Sequence, residues 1–199
     1  GITVRTGAQA LRKSLFAILQ QREDEISPRM SSIIVGLYED WLWLDERVES
    51  LTKESDKIAA VEDNCRRLMS VPGIGPLSST AMVAAIGTGE AFGRGRDFGA
   101  WLGLVPRQFS TGGKPILGRI SKRGSRYLRT LFVQAAHVIL MRPHNWEKFS
   151  FGPWLQQAST RLHKNKLAAA LANKLARIAW SILRNGKTFD THRLAAASI

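Results

Sequence analysis

Acidic residues are missing from one long stretch: no aspartate or glutamate occurs between Asp97 and Glu147. Cysteine and tyrosine are nearly absent as well, with one Cys, two Tyr and four His among 199 residues. The lone Cys65 cannot close an internal disulfide, and with scattered histidines it offers none of the paired spacings that hold zinc, so no structural metal is expected. No apolar run reaches the roughly 18 residues of a membrane span, and no basic-then-apolar leader opens the chain, so no membrane partner is expected. The chain begins at Gly1 rather than methionine, as a fragment or processed piece would. Disorder as the default is excluded by 44% hydrophobic and 23% charged residues, because burial on this scale offsets the ordering entropy.

What is present is positive charge. Lys and Arg total 29 against 16 Asp and Glu, a formal net of +13, the balance of proteins that meet phosphate backbones. The imbalance is local. Residues 1–70 hold 10 basic and 12 acidic side chains, whereas residues 71–199 hold 19 and 4. The acid-free stretch carries Arg107, Lys114, Arg119, Lys122, Arg123, Arg126, Arg129 and Arg142. Arginine dominates overall, and its forked guanidinium suits phosphate better than a merely solvated surface would require.

Periodicity predicts helices at Ala8 to Gln21, from Ser27-Pro28 onward, at Val61 to Met69, Leu77 to Ile86, Phe98 to Leu102, Arg126 to Met141 and Asn165 to Leu183. Residues 187–199 read as a frayed tail. In the second helix Ile34, Leu37, Trp41, Leu44, Val48, Leu51, Ser55 and Ile58 alternate steps of three and four. That seam fits either a dimerising coiled coil or a long amphipathic helix packed on its own domain. Val71-Pro72-Gly73-Ile74-Gly75-Pro76 has the pattern of a helix-hairpin-helix turn, in which Gly73 and Gly75 let backbone N–H groups meet a phosphate. The same turn also serves a hairpin used only for packing. Residues 105–124 break helical periodicity with glycines and prolines and read as a loop or loose hairpin.

The candidate for chemistry is Gln108-Phe109-Ser110-Thr111-Gly112-Gly113-Lys114. A serine attacks phosphorus when its proton can leave and fixed cations neutralise the developing charge. No nearby histidine or carboxylate offers a conventional base, so a Ser-His-Asp arrangement is not indicated, and on residue types alone this segment is also an ordinary turn. His137 reads as a core or boundary residue, and Glu90 and Asp97 as too isolated for a metal pair. Phe98, Trp101 and Trp180 read as core aromatics before base-stacking ones.

Several segments in order carry a family likeness: Cys65-Arg66-Arg67-Leu68, Val71 to Pro76, Trp101-Leu102-Gly103-Leu104-Val105-Pro106-Arg107, Ser110 to Lys114, Gly118 to Gly124, and Tyr127-Leu128-Arg129. Together with Ala172-Asn173-Lys174-Leu175-Ala176-Arg177, they resemble the carboxy-terminal domain of the bridge-RNA-guided recombinases, an insertion-sequence transposase family. That family joins an RNase-H-like domain with a DEDD metal site to a serine-bearing domain. The resemblance implies Ser110, or Thr111 one residue on, as the nucleophile that links covalently to DNA. It implies Mg2+ only in the RNase-H-like domain, with no cofactor in this chain. It further implies DNA and guide RNA as partners and a cytoplasmic, prokaryotic setting on the nucleoid. Residues 1–60 leave no room for the RNase-H-like fold, so strand cleavage by this chain alone is not expected.

The combined expectation is an all-α protein. A helical linker and coiled-coil arm over 1–64 precedes a serine-bearing domain over 65–186 with a helix-hairpin-helix and a glycine-rich basic loop, and a tail over 187–199. The expected phosphate contacts are Gly73, Gly75, Arg107, Lys114, Arg119, Lys122, Arg123, Arg126 and Arg129, and no residue is expected to bind metal. A transposase fragment is the leading reading, with a non-catalytic nucleic-acid-binding and dimerisation module as the alternative. A helix-hairpin-helix glycosylase using Asp97 is disfavoured by the later motifs.

Overall fold

Helix boundaries follow local chemistry closely. The computed structural model describes residue 3, residues 6–109 and residues 116–191. Eight helices occur among them: α1 (Ala8–Gln21), α2 (Pro28–Val61), α3 (Asp63–Met69), α4 (Pro76–Ile86), α5 (Gly95–Trp101), α6 (Arg126–Leu140), α7 (Gly152–Arg161) and α8 (Lys164–Asn185). The two strands, β1 (Pro106–Gln108) and β2 (Leu117–Ile120), are short and antiparallel, and a 3-10 turn spans Pro143–Lys148. The fold is all-α, as the sequence predicts. Pro28 starts α2 after Ser27, whose hydroxyl accepts from Met30 N–H, and Ser125 caps α6 by accepting from Leu128 N–H. Gly186 ends α8 in the left-handed conformation at φ 61°. Helix α7 lies where the sequence suggested only a connecting segment. Pro153 sits in its first turn, where the missing N–H is no loss.

The chain divides into two compact units, Gly1–Thr52 and Lys53–Ile199. The division falls inside α2, so the last turns of that helix belong to the second unit. Ser55 Oγ lies 3.3 Å from Thr80 Oγ1, and Ala59 is fully buried.

In the first unit α1 packs on the start of α2 through an aromatic ladder. Phe16 meets Tyr38 edge-on at 5.1 Å and Tyr38 meets Trp41 at 6.1 Å, while Arg12 reaches Asp45 at 3.2 Å. No described residue of this unit is fully buried. The predicted seam splits accordingly. Trp41 turns to the ladder and Ser55 to α4, while Leu37, Leu44, Val48 and Leu51 stay exposed.

The second unit is organised on α8, whose Leu167, Ala168, Leu171, Ala172, Leu175, Ala176 and Ala179 are buried. Its alanines let neighbours approach closely. Helix α6 lays Leu128, Phe132, Ala135, Ala136 and Ile139 against the same core. Helix α5 docks on α8 through Gly95 and Gly99, one helical turn apart: a β-carbon at Gly99 would come 2.4 Å from Asn173 Oδ1, and one at Gly95 3.1 Å from the Trp180 ring. Trp180 is a packing residue, as the sequence suggested, and its indole N–H donates to the Gly89 carbonyl at 3.0 Å. The frayed tail predicted from 187 is corrected for its first residues. Phe189 packs on Phe151, and its N–H donates to Ser70 Oγ at 2.7 Å. Residues 192–199 lie outside the described part.

Candidate nucleic-acid interface

The basic stretch folds as a two-stranded hairpin tied to the core by two glycines. Gly103 (φ 71°) follows α5, and Gly124 (φ 86°) precedes α6. Each lies against the other's segment: a β-carbon on Gly103 would meet the Arg123 carbonyl oxygen at 2.1 Å, and one on Gly124 the Trp101 carbonyl oxygen at 1.7 Å. No other residue fits either place, since both the space and the positive φ exclude a side chain. Two backbone bonds close the base, Lys122 N–H to the Gly103 carbonyl (3.0 Å) and Ser121 N–H to the Val105 carbonyl (2.8 Å). Lys122 itself adopts φ 56°, an uncommon conformation for a residue with a β-carbon, and it directs the chain out of the hairpin toward α6.

Register within the hairpin sets the cations. Pro106 pairs with Ile120 and Gln108 with Leu117, so Arg107 alone stands opposite both Gly118 and Arg119. Such a bulge increases twist and re-aims side chains. Arg107 and Arg119 are exposed, as are Lys122, Arg123 and Arg126. Arg107 also donates to the Ser121 carbonyl at 3.4 Å.

Two of the expected phosphate contacts have partners within the protein. Arg129 donates to the Leu102 carbonyl at 2.9 Å and to the Arg123 carbonyl at 3.5 Å, so its guanidinium braces the hairpin base from α6. Gly73 (φ 81°) presses on α6, where a β-carbon would come 2.9 Å from the Ala135 carbonyl oxygen; the close approach it permits is to protein. Gly75 differs. It precedes α4 with nothing within 4 Å of a β-carbon position, and no side chain caps that helix. Ser110, Thr111 and Lys114 lie outside the described residues. The bracing role of Arg129 carries no sequence signal, because its acceptors are backbone carbonyls, which every residue supplies.

Glu90 pairs with Arg184 at 3.3 Å and Asp97 with Arg96 at 3.9 Å, and His137 is half-buried on α6. Burial raises the Cys65 thiol above its ordinary pKa, with Ser79 opposing through a hydrogen bond. Lys174 sits 4.9 Å over the Trp154 ring, and partial burial, with a smaller push from Arg177, lowers its pKa. Among the described residues no group of three or more His, Cys, Asp or Glu side chains could hold a metal ion. Mg2+ asks for oxygen ligands, chiefly carboxylates, which this cationic hairpin does not supply. Among the described residues no helix is long and apolar enough to cross a membrane.

Residues 65–150, which span the α3–α4 turn, the hairpin and α6, match the model of the family described as Transposase IS116/IS110/IS902. The chain is 40% identical over 168 residues to the transposase for insertion sequence element IS1328 of Yersinia enterocolitica, an overlap of 84% of this chain and 50% of that protein. It is 36% identical over 190 residues to the transposase for insertion sequence element IS1111A of Coxiella burnetii, covering 95% of this chain and 52% of the relative. A probable family 20 transposase of Pseudomonas aeruginosa is 37% identical over 182 residues, covering 92% and 54%. The chain therefore spans about half the length of these relatives.

Proposed function

Residues 65–150 belong to the IS116/IS110/IS902 family of transposases, and from that premise we propose that this chain is the DNA-engaging part of a transposase whose nucleophile is Ser110. The observation that carries the reading is the hairpin: exposed Arg107, Arg119, Lys122 and Arg123 on a base locked to the core, in a stretch without a carboxylate. Phosphates of a DNA strand are drawn to such a surface irrespective of base sequence. Ser110 comes two residues after the end of β1 in the chain, so the phosphodiester of the bound strand is its natural target. Its Oγ forms a bond to phosphorus as a bridging phosphorus–oxygen bond breaks. The hydroxyl proton is released, and the departing oxygen takes one up. The arginines offset the charge that builds on the non-bridging oxygens.

Sequence choice falls to base pairing with a guide RNA, since phosphate contacts are sequence-blind. Self-association falls to the exposed Leu37, Leu44, Val48 and Leu51 stripe of α2. On this reading the working place is the prokaryotic cytoplasm, at the nucleoid.

The test uses a full-length relative and a nicked DNA substrate that traps covalent intermediates. Replacing the serine aligned with Ser110 by alanine is expected to abolish DNA–protein adducts and recombination, and retained adducts would sink the assignment. A variant matching Thr111→Val is expected to keep them, and their loss would move the nucleophile by one residue.

A second reading, nucleic-acid binding and dimerisation without chemistry, is favoured by one feature: the described residues contain no acid cluster to hold an assisting metal. Incubating this chain with DNA, guide RNA and Mg2+ tests the binding-only reading. Turnover excludes the binding-only reading.

A further inference from the structure

We propose that the ring of Phe109 is a stacking platform for an unpaired DNA base, placed beside the phosphate contacts Arg107 and Arg119. The inference deepens the DNA reading above and rests on it. Phe109 follows β1, and its N–H donates to the Ile116 carbonyl at 2.8 Å, which extends the hairpin beyond its last strand pair. Its ring lies across β2 at Gly118, where a β-carbon would come 3.1 Å from one ring atom and 3.6 Å from another. Glycine at 118 therefore lets the ring lie close to the backbone. Glycine weakens a strand interior and marks a close approach there, and here the approaching group is an aromatic ring.

With one side of the ring set against the strand, 60% of the residue stays exposed. Its neighbours Ile116 and Leu117 are exposed at 52% and 64%. Apolar side chains at the end of a hairpin add nothing to the core, and water is a poor partner for them. A nucleobase is a flat, apolar-faced partner that every DNA strand supplies, and stacking on an aromatic ring tolerates any base.

Charge selects this occupant over an apolar protein surface. Arg107 and Arg119 face each other across the bulge, and no acid occurs from residue 98 to residue 146 to repel a phosphate. Arg107 and Phe109, two residues apart on extended chain, leave the same side of it about 7 Å from each other. A single nucleotide bridges that span, with its phosphate on the guanidinium and its base on the ring. The strand is DNA, because the proposed nucleophile follows Phe109 immediately in sequence.

The 199-residue chain is titrated into a single-stranded DNA oligonucleotide carrying a fluorescent adenine analogue whose emission falls on stacking. Wild type is expected to quench it. Phe109→Ala should remove the quenching and weaken binding roughly 5- to 150-fold, equivalent to about 1–3 kcal/mol for one stacked base. Phe109→Trp should restore both. Phe109→Leu still covers Gly118 and should quench no better than alanine; this pair keeps the test valid if the alanine variant unfolds. Quenching by Phe109→Leu equal to wild type would reduce the ring to a cover for Gly118 and overturn the proposal. So would quenching seen with RNA of the same sequence and not with DNA. Wild type that binds DNA without quenching defeats the stacking proposal alone, and wild type that fails to bind DNA defeats the underlying reading as well.

Discussion

Leucines on α2 and on α8 meet opposite surroundings. Leu37 is 64% exposed on the arm, whereas Leu171 and Leu175 are fully buried in the domain. Both helices are amphipathic, so periodicity does not separate them. What separates them is neighbours small enough to come close. Alanines along α8 and the Gly95 and Gly99 pair on α5 bring helix backbones near each other, and large residues such as Phe98 then fill the remaining space. The arm meets α1 through an aromatic ladder and the Arg12–Asp45 pair, and it keeps a stripe of leucine and valine in water. A buried interior gives the domain its own stability, while the arm's apolar stripe adds nothing to a core.

The contrast can be broken from either side, and the largest effect is expected at the hairpin base. Gly124→Ala puts a β-carbon onto the Trp101 carbonyl at a positive φ, so a loss of more than about 3 kcal/mol is expected in denaturant unfolding. Near-native stability would mean that the hairpin moves independently of the domain. Next in size is a matched pair. Leu175→Ala should cost about 2–5 kcal/mol. Leu44→Ala should change monomer unfolding by no more than about 0.5 kcal/mol. In sedimentation, however, the same Leu44→Ala change should weaken self-association. Equal costs in dilute protein would show the arm to be covered within the chain.

A third comparison separates bracing arginines from exposed ones. Arg129→Gln should lower stability by about 1.5–3 kcal/mol, since it removes charged hydrogen bonds to two carbonyls, and leave the salt dependence of DNA binding nearly unchanged. Arg119→Gln should do the reverse, flattening the logarithmic salt slope by about 0.9 while the melting temperature holds. The smallest effect is a pH dependence at Lys174. Its native pKa is depressed below 10.5, so between the two values the unfolded chain binds the proton and the native chain does not. Stability should therefore rise with pH across that window and fall back as pH drops through the native value. Lys174→Met should remove this rise, and an unchanged slope in alkaline denaturant titrations would reject it.

Much of the outline was legible in residue order. The start of α2 at Ser27-Pro28, the Ser125 cap and the Gly186 stop each depend on chemistry within a few residues of the helix end. Helix α7 escaped notice because Gly152-Pro153 carries the same letters whether a chain breaks or begins a turn. At the interface, the acid-free run correctly marked a cationic hairpin, but the uses of individual residues did not follow. Gly73 and Arg129 read as phosphate contacts, and the structure adds a packing partner for each, on α6 for Gly73 and at the hairpin base for Arg129. Phe109 read as one letter in a turn.

Charge, helix ends and the all-α character are properties of nearby residues, and the amino-acid order was enough to establish them. Which glycine admits a neighbouring backbone, which arginine is spent on carbonyls and which apolar stripe stays wet depended on segments far apart in the chain. Gly103 and Gly124 became one joint, and Gly118 the bed of a ring, only when packing brought them to their partners. Steric fit at a few ångströms is a relation between two segments, and neither segment encodes it alone.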